Sequence, residues 1–328
     1  MILAVYSIAH FFVDAVCAAA IFSNDELIPY ILMYDLLAFS TQGITGILTD
    51  IIGKAKYVAF AGGILVAAGA ILPIPVPVRV CMLGLGNSIF HVGGGAVILK
   101  GSDFKAYPLG IFVAPGSLGL VAGTLFPTGT LYFAMALAAF CIFIFILKPA
   151  IPSSDNAENS LFTGKPFMKL LIPVLILSAV SIRSIGSYAV SFPWKDTVLL
   201  TVILGVCVML GKMAGGFILD RIKAVPLILL TVPLAGIFIS FFSGNMVLSL
   251  IGQFLLNCSM PLTLYLLYRI MPEYPGFSFG LAASFLFPGM LIGKSLEISP
   301  VVMIVIFAVN AVMLLFSVNI LKKGGSMI

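Results

Sequence analysis

Charge is what this sequence has least of. Only 9% of its 328 residues are Asp, Glu, Lys or Arg, and it holds two histidines and one tryptophan. A water-soluble domain of this length needs a polar skin that such a composition cannot supply. The cysteines exclude a further class. Cys17, Cys81, Cys141, Cys207 and Cys258 stand singly in apolar runs, with no CxxC and no histidine cluster beside them in sequence. They read as small core residues rather than as a disulfide frame or a metal centre, and no cofactor is expected. A cleavable leader is not expected either. No basic residue precedes the first apolar run, which His10 and Asp14 interrupt, although Ala18-Ala19-Ala20 resembles a cleavage site.

What remains is apolar length. Hydrophobic residues make up 61% of the chain and its mean hydropathy is +1.22, so the solvent around most of it is lipid. A helix needs roughly 20 apolar residues to cross the hydrocarbon core. Apolar runs bounded by charges and turn residues give twelve spans, near 1–22, 27–48, 57–73, 76–99, 106–126, 129–147, 168–190, 197–219, 224–242, 245–268, 276–293 and 298–321. The one long hydrophilic stretch falls between the sixth and seventh. The expected organisation is therefore a six-helix half over 1–147, a linker over 148–167 and a second six-helix half over 168–328.

The net charge of +5 follows a topological pattern. Twelve of the 17 Lys and Arg (Lys54, Lys56, Lys100, Lys105, Lys148, Lys165, Lys169, Arg221, Lys223, Arg269, Lys322, Lys323) fall on connections of one side. Arg79, Lys195 and Lys294 fall on the other, with Asp25 and Glu26. The positive-inside rule then makes both termini and the linker cytoplasmic, and nucleic acid needs no place in the account.

Three signals recur in matching order. Gly46-Ile-Leu-Thr-Asp50 ends the second span and Gly216-Phe-Ile-Leu-Asp220 the eighth; Asn87 lies in the fourth and Asn257 in the tenth. Phe112-Val-Ala-Pro115-Gly116 in the fifth is echoed by Phe285-Leu-Phe-Pro288-Gly289 in the eleventh, all at offsets of 170 to 173. Such a repeat indicates two related halves, and with six spans between copies they are parallel repeats about an axis along the membrane normal.

Two six-span halves, a linker, and Gly46-x-x-x-Asp50 followed by Gly53, Lys54 and Lys56 resemble the major facilitator superfamily. Within it, His10-Phe-Phe-Val-Asp14, Gly84-Leu-Gly86-Asn-Ser-Ile-Phe-His91 and the Gly116, Gly119, Gly123 series resemble the fosmidomycin-resistance group. The chain departs from the superfamily pattern in having Ile51 and Ala55 where basic residues are usual, and Thr124 where drug antiporters have proline after glycine. The resemblance implies an all-α membrane protein of two pseudo-symmetric bundles. It implies a secondary transporter, monomeric, of the bacterial inner membrane, working by alternating access. Its first, fourth, seventh and tenth spans would line a central cavity, and Asp50 and Asp220, with Arg221, would help latch the cytoplasmic side.

Ionisable groups at membrane depth cost about 2.5 to 3.5 kcal/mol on the insertion scale, so they mark partners or wet cavities. His10 and Asp14, four apart, share one helix face. Asn87 and His91 repeat that spacing, as do Gln253 and Asn257. Arg183 and Asp14 lie at similar depth, roughly 20 Å from the cytoplasmic end at 1.5 Å per residue. Arg183 offers a permanently charged fork suited to a carboxylate or phosphonate, so Arg183, Asn87, Asn257, His91 and Gln253 form the expected solute site. His10, Asp14 and Asp35 are the expected proton-coupling residues, with His10 or His91 exchanging protons near neutral pH and Asp14 holding the histidine tautomer or itself taking the proton. Gly46, Gly216, Pro115 and Pro288 are expected at points of close approach or bending.

The expected partners are a small anionic or zwitterionic solute, protons and the bilayer. Other readings stay open: an ion pair between Asp14 and Arg183 with a structural role, a drug/proton antiporter, or a transport-inactive sensor of the same fold. An enzyme is not expected, because no Ser, Cys or metal-ligand constellation accompanies His10 and Asp14.

Overall fold

In a computed structural model the described residues are 1–148 and 166–323. Among them every regular element is helical. Eleven helices are long and apolar enough to cross a membrane, and a seventeen-residue apolar helix stands third in order. In chain order they are α1 (Ile2–Phe22), α2 (Asp25–Ile52), α3 (Ala55–Ile71), α4 (Val76–Gly101), α5 (Tyr107–Leu125) and α6 (Pro127–Ile146). The second set is α7 (Pro166–Tyr188), α8 (Val198–Ile222), α9 (Ala224–Phe241), α10 (Met246–Ile270), α11 (Pro275–Ser295) and α12 (Pro300–Lys323). Most of the expected linker, 149–165, lies outside the described residues.

The chain divides into two compact units. Unit 1 comprises 1–103, the described residues from Ile111 to Lys148, and 274–284; unit 2 comprises 104–110, the described residues from Pro166 to Glu273, and 285–323. Residues 107–110 of α5 and 275–284 of α11 thus each belong with the unit that does not contain the rest of their helix.

Lipid tails are as apolar as leucine, so helices here hold together by close contact rather than by escape from water. Small residues make that contact. A Cβ at Gly46 would run into the backbone of Gly276, and one at Gly216 would approach the carbonyl oxygen of Ala106 at 2.8 Å. These two glycines are equivalent in the repeat, and each admits the N-terminus of another helix.

One turn further on, Asp50 and Asp220 finish those contacts. Asp50 accepts from the backbone N–H groups of Gly276 and Phe277, both at 2.8 Å. Asp220 accepts from those of Ala106 at 2.8 Å and Tyr107 at 2.9 Å. A carboxylate at a helix C-terminus is disfavoured by its own helix dipole, and the free amides and positive dipole end of a second helix offset this. Arg221, beside Asp220, is exposed.

Two helices are broken where the repeat places Pro-Gly. α5 is regular over Tyr107–Val113 and again over Pro115–Leu125. α11 is regular over Pro275–Ser284 and Leu286–Ser295, so its break at Phe285 precedes Pro288. A proline removes the donor for the carbonyl four residues back and crowds it, and for Pro288 that carbonyl is Ser284, at the break.

α2 is irregular without an internal Pro-Gly. A 3-10 turn over Asp25–Tyr30 leads to a π-helical turn over Leu36–Ser40. Two of its carbonyls accept from side chains: the Thr41 hydroxyl donates to Leu37 and Gln42 Nε2 to Ala38.

Asp50→Ala is expected to lower stability by about 2 kcal/mol, the scale of hydrogen bonds to a charged group. Thermal unfolding in detergent reads this directly, with Asp25→Ala, on the exposed 3-10 turn, as the neutral control. Unchanged unfolding of Asp50→Ala would mean that the Gly276 and Phe277 amides are equally well served without it.

Candidate functional site

Four polar residues of unit 1 converge on one point. α1 carries His10 and Asp14 one turn apart, α4 carries Asn87 and His91 one turn apart, and the break in α5 presents backbone. His10 Nε2 and His91 Nε2 lie 2.7 Å apart. Asp14 sits beside both, Oδ2 at 3.3 Å from His10 Nε2 and Oδ1 at 3.6 Å from His91 Nε2. Asn87 Nδ2 donates to Asp14 Oδ1 at 3.1 Å and to the Tyr34 hydroxyl oxygen at 3.2 Å.

The outer ring nitrogens are held by backbone. His10 Nδ1 is 2.8 Å from the carbonyl oxygen of Phe112, in the last turn before the α5 break. Carbonyls in a helix's final turn have no partner inside that helix, so the break supplies an acceptor and His10 meets it. His91 Nδ1 is 2.8 Å from the carbonyl oxygen of Asn87, one turn back in its own helix. The tautomer of His10 is therefore fixed by Phe112, while Asp14 lies on the Nε2 side.

Gly116 makes room for this. A Cβ there would collide with Asp14 Oδ2 and His10 Nε2, so the glycine after Pro115 lets α5 close over the group. Asp14 is the most open member, its side chain 21% exposed against 5% for His10 and 13% for His91. Asp35 opens the π turn of α2, outside this group.

Among the described residues, His10, Asp14 and His91 are the one group with the residue types and spacing for a cation, their ligand atoms all within 4.8 Å of one another. The spacing of the nitrogens decides what suits them. Two histidines on one tetrahedral zinc, each at about 2.0–2.1 Å, stand roughly 3.3 Å apart. The 2.7 Å found here is a hydrogen-bond distance instead.

Unit 2 carries the same scaffold with other chemistry. Ser181, 171 residues after His10, donates to the carbonyl oxygen of Phe285 at 2.7 Å, and Ser184 to that of Leu286 at 2.7 Å. Residues of α7 therefore bond to backbone where the second segment of α11 begins, whereas His10 bonds where the first segment of α5 ends. Beside them, Arg183 is 6% exposed. Its Nη1 is buried and has no hydrogen-bond partner among the described residues. Gln253 and Asn257 are buried on α10, where Asn257 Nδ2 donates to the Gln253 carbonyl at 2.8 Å.

Solved structures share this order of helices over nearly the whole chain. The transporter FucP in its outward conformation matches with TM-score 0.62 at 14% identity, over 96% of this chain and 98% of that one. The E. coli fucose:proton symporter FucP in a second structure gives 0.62 at 12% over the same shares. The human organic anion transporter MFSD10 (TETRAN) gives 0.64 at 13%, over 98% of each chain. The fold is that of the major facilitator superfamily. No family model and no curated protein matches the sequence, so the likeness to the fosmidomycin-resistance group rests on short motifs alone.

A major facilitator fold explains why the repeat equivalents hold equivalent places, and it exposes what motif reading missed. Ser181 and Ser184 were signalled by the repeat offset, 171 residues after His10 and 170 after Asp14. Asn310 of α12 is 2% exposed with Oδ1 unpartnered among the described residues. Its signal was an amide inside the apolar run Val301–Val312. Gly186, one turn beyond Arg183, faces Phe307, one turn before Asn310, and Leu256, next to Asn257.

Gly116→Ala is expected to destabilise by about 1–3 kcal/mol, the usual cost of overpacking, and to displace His10 from Asp14. Gly101→Ala, where a Cβ meets nothing within 4 Å, should leave unfolding unchanged. Equal melting of the two variants would refute the crowding at Gly116.

Proposed function

We propose that this chain is a proton-coupled secondary transporter for a small anionic or zwitterionic solute, working by alternating access. The observation that carries the anion is Arg183. A guanidinium stays ionised at every accessible pH, and burying one with donor capacity unspent is costly unless a ligand restores its bonds. A carboxylate, phosphate or phosphonate fits its planar fork. Asn257 and Gln253, in the same unit as Arg183, serve as neutral hydrogen-bonding groups toward the solute, while Asn87, whose amide donates to Asp14 and Tyr34, is assigned with the proton site.

Proton coupling is assigned to His10 and Asp14, with Asp35 nearer the end of α2. His91, expected both among the solute residues and as a proton-exchanging histidine, is assigned to the proton site because its Nε2 faces that of His10. Gating is assigned to Asp50, Asp220 and Arg221 at the helix ends, to Gly46 and Gly216 where helices approach, and to the Pro115 and Pro288 breaks. Both termini are placed in the cytoplasm and the protein acts as a monomer. The fold neighbours, a fucose:proton symporter and an organic anion transporter, support a carrier without fixing its cargo.

The test is a thermal-shift screen of the purified protein against small carboxylates, amino acids and phosphonates. A ligand at a hundred times its Kd stabilises by about 2.7 kcal/mol. Arg183→Ala is expected to abolish that shift and Arg183→Lys to retain part of it. An unchanged affinity in Arg183→Ala would sink the anion assignment. Counterflow of the stabilising solute in proteoliposomes is expected; its absence would favour a sensor of this fold.

A further inference from the structure

We infer that His10 and His91 hold one proton between their Nε2 atoms, so that this pair, charge-balanced by Asp14, is a binding site for a single proton. The inference rests on the assignment of proton coupling to the His10 and Asp14 pair and gives that site its chemistry and stoichiometry.

Each Nδ1 lies 2.8 Å from a backbone carbonyl oxygen, Phe112 for His10 and Asn87 for His91. A carbonyl oxygen only accepts, so each Nδ1 must carry a hydrogen. A neutral imidazole protonated at Nδ1 has a bare lone pair at Nε2. Two such lone pairs would then face each other across 2.7 Å, which is repulsive. One added proton turns that clash into a short N–H···N bond and makes the pair a monocation. A second would set two cations against each other.

Asp14 completes the balance. Its carboxylate, 3.3 and 3.6 Å from the two Nε2 atoms, cancels the single positive charge, and Asn87 donates to it. With one proton the group is neutral in a setting where net charge is expensive. Other titratable groups stand on the helices around it. Cys17 lies on α1, Tyr34 and Asp35 on α2, and Tyr6 on α1 near Cys141 of α6. The second half of α5, Pro115–Leu125, and the first half of α11, Pro275–Ser284, bring no titratable side chain. On α3, Lys56 is turned to the carbonyl oxygens of Phe145 and Leu147 at 2.9 and 3.0 Å, with Tyr57 beside it.

The chain has only two histidines, so uniform 15N-histidine labelling of the full-length protein in detergent or nanodiscs reports on this pair alone. The expected spectrum has both Nδ1 atoms protonated and a scalar coupling between the two Nε2 nuclei through the shared hydrogen, and the rings titrate as one unit. Asp14→Asn, which keeps the shape and removes the charge, is expected to abolish the coupling at neutral pH. Two rings that titrate independently, with no coupling in the unaltered protein at any pH, would overturn the inference.

Transport separates this from the broader assignment. A coupling that is present while uptake ignores an imposed proton gradient supports the shared proton and removes proton-driven transport. Gradient-driven uptake with no coupling does the reverse.

Discussion

Inside a bilayer every carbonyl must find its donor in the protein, and the broken helices α5 and α11 turn that demand into local chemistry. Each break leaves backbone oxygens that the helix no longer serves. In unit 1 His10 serves one of them, at Phe112; in unit 2 Ser181 and Ser184 donate to Phe285 and Leu286, where the second segment of α11 begins. In each half a polar residue of the first helix thus bonds to backbone at the break. A serine makes that bond and does no more. A histidine makes it with one nitrogen and leaves the other to meet Asp14 and His91.

The two units have used a common scaffold for opposite electrostatic tasks. Unit 1 gathers a carboxylate and two imidazoles, groups whose charges can cancel locally. Unit 2 buries a guanidinium with an unspent donor, whose charge cannot be removed by losing a proton at any ordinary pH. A group that can be neutralised suits an exchangeable proton. A group that cannot suits an anion from outside. This division, rather than any single residue, is the basis for reading the protein as a proton-coupled carrier of anions.

Helix ends follow the same economy of charge. Asp50 and Asp220 each close a helix that repels them, and each is held by the first amides of another helix. Gly46 and Gly216 let those helices come close enough. Both arrangements appear twice because the repeat carries glycine and aspartate together, one turn apart, so that close approach and its electrostatic completion were duplicated as one piece.

Composition by itself determined the solvent, the helical class and nearly all the spans, because apolar length is a local property that lipid enforces residue by residue. The 170-residue offset determined the two halves, and the spacing of His10 with Asp14 and of Asn87 with His91 determined which faces were polar. Only the tertiary structure decided that those faces meet. Distances between α1, α4 and α5 are set by which glycines allow approach, and nothing in sequence spacing fixes them. Thus Phe112, a backbone oxygen with no side-chain signature, became the partner of His10, and the α11 break fell at Phe285 rather than at Pro288. His91 was legible as polar and buried; that it faces His10 across 2.7 Å came from packing between helices 81 residues apart in the chain.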